Sequence, residues 1–225
     1  MHIRSLEPII LATIQANIYQ EVKKRFASID DLAHGWEHVQ RVYSLALSIA
    51  EREGADSFIV GAAALMHDLG RVIPDTTRHH AEVSVTLAGD ILDAQSIPPA
   101  MQQAILHAIE AHSFSRNIEP RTLEARVVRD ADRLDGLGAM GIIRWAITGT
   151  IRHTPETLTY HPDDPFAERH KPDDTHYMLD HFYTKLLKLS DTMATPTGRE
   201  MARHRTVVMQ TFLNELRGEL ASSNT

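Results

Sequence analysis

"ALMHDLGR", residues 64–71, is the stretch on which the reading of this chain turns. It sets an imidazole and a carboxylate side by side, His67 and Asp68, in otherwise apolar surroundings. Each costs free energy there unless it finds a partner. Adjacent positions on a helix lie about 100° apart, so the two side chains cannot leave the backbone in one direction. They converge on a single point only at a helix end, and Gly70 supplies such an end.

Outward from this stretch the hydrophobic pattern is helical almost throughout. Leu6, Ile9, Ile10, Ile14 and Ile18 recur at helical spacing, as do Val39, Val42, Tyr43, Ala46, Leu47 and Ala50. The pattern predicts helices over 5–27, 36–52, 56–69, 79–95, 98–112, 121–136, 138–147, 175–189 and 197–218. Pro98 and Pro99 suit a helix start, Gly54 and Gly70 suit helix stops. No segment alternates as a strand and no repeat recurs at a fixed period, so the expected fold class is all-α. The tail "ASSNT" is expected to fray.

The chain has 225 residues, 43% of them hydrophobic and 24% charged, which fits one globular domain spanning 1–225. A chain of this size buries about 70% of its unfolded surface, enough for a core without staples. There is no cysteine, which excludes disulfides, thiolate catalysis and sulfur-ligated zinc. Any chemistry must come from nitrogen and oxygen groups. The apolar run from Pro8 to Ile14 is interrupted by Gln15, Asn17 and Gln20, so neither a signal peptide nor a membrane span is expected, and the location is read as cytoplasmic. A formal net charge of −7 disfavours long nucleic acids and anionic membranes as partners. Small anionic substrates stay open, because a few local cations outweigh the global field.

The irregular stretch is "TGTIRHTPETLTYHPDDPFAERHKPDD", 148–174, with four prolines and little periodicity. A loop this long is usually functional or disordered. Its Arg152, Glu168, Arg169, Lys171 and histidines suggest a lid over an anionic ligand, with a solvated excursion as the plainer reading.

Other ligand-type residues stand in helical contexts far from His67 in sequence: His34 and His38 in "HGWEHVQRV", His79 and His80 in "RHHAEVS", Asp130, Asp132 and Asp135 in "RVVRDADRLDGLG", and His107 and His112 in "ILHAIEAHSFS". A divalent cation offsets the burial of such groups. Two imidazoles and two carboxylates leave room for water, as a catalytic site does. Such a donor set suits manganese, magnesium, iron, zinc, cobalt or nickel.

A lone histidine in a helix, a His-Asp doublet downstream and then "ADRLD" (131–135) resemble the HD-domain metal-dependent phosphohydrolase superfamily. With "HSFS" (112–115), "DADRLDGLGAMGI" (130–142) and "HFYTKLLKLSDTM" (181–193), most of the chain is similar to the bacterial subfamily of YedJ and YpgQ type. The resemblance implies a compact helical bundle around a central metal, manganese favoured. It implies His38, His67, Asp68 and Asp132 as ligands, His38 preferred to His34 and Asp132 to Asp130 on the family pattern. His80 and His112 fall where the family places extra histidines, on a second metal or facing phosphate, with satisfied structural histidines as the plainer reading; with Asp68 they are the expected catalytic groups. Arg41, Arg71, Arg133, Asp135 and Lys185 are the candidate substrate-binding residues; the plainer reading is pairing with the acidic surface for the three arginines and a solvated helix face for Lys185, while Asp135, one turn past Asp132, can instead support the ligands from behind. His107 is read as structural, Trp145 and Met66 as core.

The activity implied is hydrolysis of nucleotides: (deoxy)nucleoside triphosphates to monophosphate and pyrophosphate, or nucleoside monophosphates as the nearest alternative. The bound cation would polarise a phosphoryl oxygen and lower the pKa of water. A reading of another class is a non-catalytic metal or nucleotide sensor built on the same four residues. A helical adaptor would need an exposed apolar face, which the interleaved polar residues do not offer. The amphipathic segment 197–218 is expected either to close the core or to pack on a second subunit, as in a homodimer.

Overall fold

A computed structural model describes residues 8–73 and 77–222. Its helices are α1 (Pro8–Phe26), α2 (Trp36–Glu53), α3 (Ser57–Met66), α4 (His80–Ala94), α5 (Pro99–Ala111), α6 (Leu123–Asp135), α7 (Gly138–Arg152), α8 (His181–Thr184) and α9 (Pro196–Ser222). Three 3₁₀ turns, Leu69–Val72, Met178–Asp180 and Leu186–Thr192, join them. Among the described residues there is no strand, only an isolated parallel bridge between Leu158 and Tyr177. The all-α expectation stands. Positions 5–7 of the first expected helix and 223–225 of the tail lie outside the described residues.

The chain divides into two compact units, residues 1–132 and 133–225. In the first, α3 is buried nearly all round, from Phe58 and Val60 through Met66, as its unbroken apolar sequence requires. Asp56 caps it, its carboxylate accepting the N–H groups of Phe58 and Ile59 at 2.9 and 3.0 Å. The buried stripes of α1 (Ile14, Ile18, Val22) and α2 (Val39, Val42, Ala46, Ile49) pack on it.

The helix expected over 56–69 stops at Met66. His67 keeps helical angles, but Asp68 moves to φ −107°, ψ 16° and opens the 3₁₀ turn. That sparsely used region often holds active-site residues. The turn presses against the start of α4. A Cβ on Gly70 would run into the backbone carbonyl of His80, and the Gly70 N–H donates to Ser84 Oγ at 2.8 Å. Gly70 is therefore a packing requirement as well as a helix stop.

In the second unit, Trp145 of α7 meets Phe182 of α8 with ring centroids 5.0 Å apart, and Phe182 stacks on Phe212 of α9. Met209 and Leu213 of α9 are buried. The helix α7 runs through Arg152, beyond the expected end at 147, and within the added turn a Cβ on Gly149 would run into the Met178 side chain. The continuous helix expected over 175–189 is absent. The N–H groups of Met178 and Leu179 donate instead to the carbonyls of Leu158 and Thr159, both at 2.9 Å, which breaks the segment into short turns.

Candidate metal centre

The centre is assembled within the first unit. α2 supplies His38, the end of α3 supplies His67 and Asp68, α4 opens with His80, His112 caps α5, and α6 carries Asp132. His38 and His67 face each other through Nε2 at 3.3 Å. Asp132 Oδ1 lies 3.5 Å from His38 Nε2 and 3.9 Å from His67 Nε2. Asp68 Oδ2 is 3.7 Å from each of the same two nitrogens. Asp68 Oδ1 looks the other way, 3.4 Å from His80 Nε2 and 3.6 Å from His112 Nε2. The result is two adjoining groups, His38–His67–Asp132 and Asp68–His80–His112, with the donor atoms of each within 4.8 Å of one another.

Tautomers follow from the backbone. His67 Nδ1 donates to the Ala64 carbonyl at 2.7 Å and His112 Nδ1 to that of Ile109 at 2.5 Å. A carbonyl only accepts, so Nδ1 carries the proton in each ring, and a neutral ring keeps its Nε2 lone pair for the centre. Orientation of a ligating histidine through its other nitrogen is usual around metals.

Electrostatics pull the groups apart. Burial pushes His67 down to about 4, against the opposite pull of Asp68 and Asp132. Burial also takes His80 down to about 3, and Arg71 adds to the effect. Burial opposes ionisation of Asp68, yet Arg71, His67 and His112 outweigh it and hold its carboxyl well below the usual carboxylate range. Asp132 is likewise lowered: burial opposes this, but the three facing imidazoles prevail. His112 is moved up, because the Asp68 and Asp132 carboxylates overcome its burial.

The donor set fits a divalent cation. Asp68 Oδ1 is buried and has no hydrogen-bond partner, a costly state for a carboxylate oxygen unless an ion or a bound molecule meets it. The Nε2 atoms of His38 and His67 lie 3.3 Å apart, each within 3.9 Å of Asp68 Oδ2 and Asp132 Oδ1, and in the neutral ring of His67 no proton stands between Nε2 and those oxygens. A cation removes both penalties.

Arg71 is drawn into the centre, its Nε 2.6 Å from Asp68 Oδ2, so its first partner is the carboxylate. Arg41 stands on α2 three positions after His38, on a neighbouring part of the helix surface. Arg133, Asp135 and Lys185 belong to the second unit, where Arg133 donates to the Thr192 carbonyl at 2.8 Å, Asp135 pairs with Arg144 at 3.2 Å and Lys185 follows α8. His34 is held by Asp31 at 3.1 Å, with its ring 6.0 Å from that of His38. His107 accepts the Arg121 N–H at 3.0 Å, a structural bond. The orienting carbonyls of Ala64 and Ile109 carry no side-chain signal and are not legible in the sequence. The bond between His79 and Ser115 has a signal in the sequence, the closing serine of "HSFS".

Helices that deliver histidines and aspartates to one buried point define a metal-centre protein of all-α build. The HD domain model matches residues 35–137, a span that contains all six residues of the centre. YpgQ of Bacillus subtilis is 37% identical over 193 residues, covering 83% of this chain and 84% of YpgQ. The chain belongs to the HD-domain family. An HD-superfamily hydrolase from Bacillus thuringiensis has a similar crystal structure, with a TM-score of 0.74, 29% identity and coverage of 94% of this chain and 98% of that one. The crystal structure of Bacillus subtilis YpgQ in complex with ADP gives a TM-score of 0.70 at 32% identity, covering 93% and 96%.

Proposed function

We propose that this chain is a divalent-metal-dependent phosphohydrolase, cytoplasmic, acting on nucleotides and most readily on (deoxy)nucleoside triphosphates, released as monophosphate and pyrophosphate. The observation that carries the reading is Asp68, a buried carboxylate with one oxygen unpartnered amid four histidine rings. The ADP held by the relative YpgQ supports a nucleotide as ligand. Manganese is the favoured ion, and His38, His67, Asp68 and Asp132 are the residues that would hold it.

When bound, the cation supplies Lewis-acid polarisation of a phosphoryl oxygen and a more acidic water. The protein's own groups do the rest. Asp68 Oδ1 orients the attacking water and accepts its proton while the oxygen forms a bond to the α-phosphorus. The bridging bond from the α-phosphorus to oxygen breaks, and pyrophosphate leaves with the electron pair. His80 and His112 line the approach to Asp68, and His112, whose proton is held more firmly than usual, donates toward the charge developing on the leaving group. Arg71 keeps Asp68 ionised and in place. Arg41 is assigned to the phosphate chain.

The test is phosphorus NMR on metal-stripped protein supplied with manganese and a panel of nucleoside mono-, di- and triphosphates. The expected result is pyrophosphate from triphosphates, reduced by about 10³-fold or more in Asp68→Ala. Orthophosphate from monophosphates would replace the pyrophosphohydrolase reading with a phosphatase. Binding without any product would leave a sensor.

A further inference from the structure

The histidine rings around Asp68 are not held alike. His67 and His112 are each fixed through Nδ1 by a helix carbonyl, of Ala64 and Ile109. Among the described residues no hydrogen bond reaches the His80 ring, although its Nε2 lies 3.4 Å from Asp68 Oδ1. Its side chain is 22% exposed, so burial alone does not fix it. The ring it packs on most closely is His79, with centroids 4.2 Å apart and planes inclined by 38°, while the His112 ring stands further off at 5.6 Å.

His79 in turn is pinned at both nitrogens. Nδ1 accepts the Ala81 N–H at 3.2 Å and so caps α4. That bond leaves the proton of the neutral ring on Nε2, which donates to Ser115 Oγ at 2.9 Å. Ser115 lies just past His112, and its hydroxyl is 3.2 Å from that of Ser113. A second link joins the same two segments, Arg116 to Glu82 at 2.5 Å. The residues that carry His80 and those that follow His112 are thus braced together beside the Asp68 carboxylate.

We propose that His79 is a positioning residue for His80, anchored by Ser115. Its ring does for His80 what the backbone carbonyls do for His67 and His112: it sets the direction of Nε2. The inference rests on the reading of the centre as a metal site, and takes His80 as a ligand in the adjoining Asp68–His80–His112 group, beside the ion assigned to His38, His67, Asp68 and Asp132. Orienting partners of this kind typically change metal affinity by about 10- to 100-fold when removed.

The experiment is calorimetric titration of the metal-stripped full-length protein with manganese chloride. Ser115→Ala is expected to weaken manganese binding by about 10-fold, and Ser115→Thr, which keeps the hydroxyl, to stay within about 2-fold of wild type. His79→Asn retains a good helix cap but deletes the ring, so it should match Ser115→Ala without unfolding α4. The decisive comparison is the double variant Ser115→Ala/His80→Ala, expected to bind manganese like His80→Ala alone, since the brace acts through that ring. Wild-type affinity in both Ser115→Ala and His79→Asn overturns the proposal, as does a Ser115→Ala loss that is the same with and without His80. A wild-type protein that binds no manganese removes the metal reading itself, a result distinct from either.

Discussion

Asp68 divides its oxygens between two tasks: Oδ2 meets the Arg71 guanidinium at 2.6 Å, and Oδ1 stands between His80 and His112. Burial alone would raise the Asp68 pKa, and Arg71 is the strongest of the groups that reverse this. A depressed carboxylate contributes above its ordinary titration range and loses its contribution as pH falls through the folded value. Arg71→Gln therefore moves the acid limb of the pH–rate profile upward, costing several-fold more activity near about pH 5 than near about pH 8. A uniform rise in KM across pH would instead make Arg71 a phosphate contact and nothing more. The sequence shows Asp68 and Arg71 three positions apart, a spacing open to either role. Only the break after Met66 turns one onto the other.

The elements differ in how much of them the sequence disclosed. α2 and α5 were legible because their apolar stripes and stops agree with local propensity. The segment 175–189 looked equally periodic, but its amides are taken by Leu158 and Thr159, and no local pattern announces a partner that distant. The same region holds a clasp that composition hides. His170 bridges two carboxylates, Nδ1 to Asp164 at 2.7 Å and Nε2 to Asp180 at 2.8 Å. A neutral imidazole has one N–H and can donate to only one of them. The bond from Asp164, with that from Asp180, raises the His170 pKa above its ordinary value despite some desolvation. Such a group stabilises the fold fully below the unfolded value, about 6.5, and loses the effect as pH climbs through the folded one. Amide hydrogen exchange across 158–180, corrected for intrinsic rate, should quicken with rising pH in wild type. In His170→Gln it should be fast throughout; parallel profiles in the two proteins would refute the clasp.

At the scale of the whole molecule, both units are helical, and every proposed metal ligand falls in the first. The order His38, His67–Asp68, Asp132 could be read as a pattern because each residue is costly to bury without a common partner. Where those side chains meet could not be read, since convergence depends on the bend at Asp68 and the close approach at Gly70. No helix among the described residues is long and apolar enough to cross a membrane. The central claim is that an ion belongs among these ligands. Crystals grown from metal-stripped protein, soaked in manganese and measured at the manganese absorption edge, test it directly. An anomalous peak bounded by His38, His67, Asp68 and Asp132 is the predicted result. No peak there, in crystals of protein that still hydrolyses nucleotides without added metal, would contradict it.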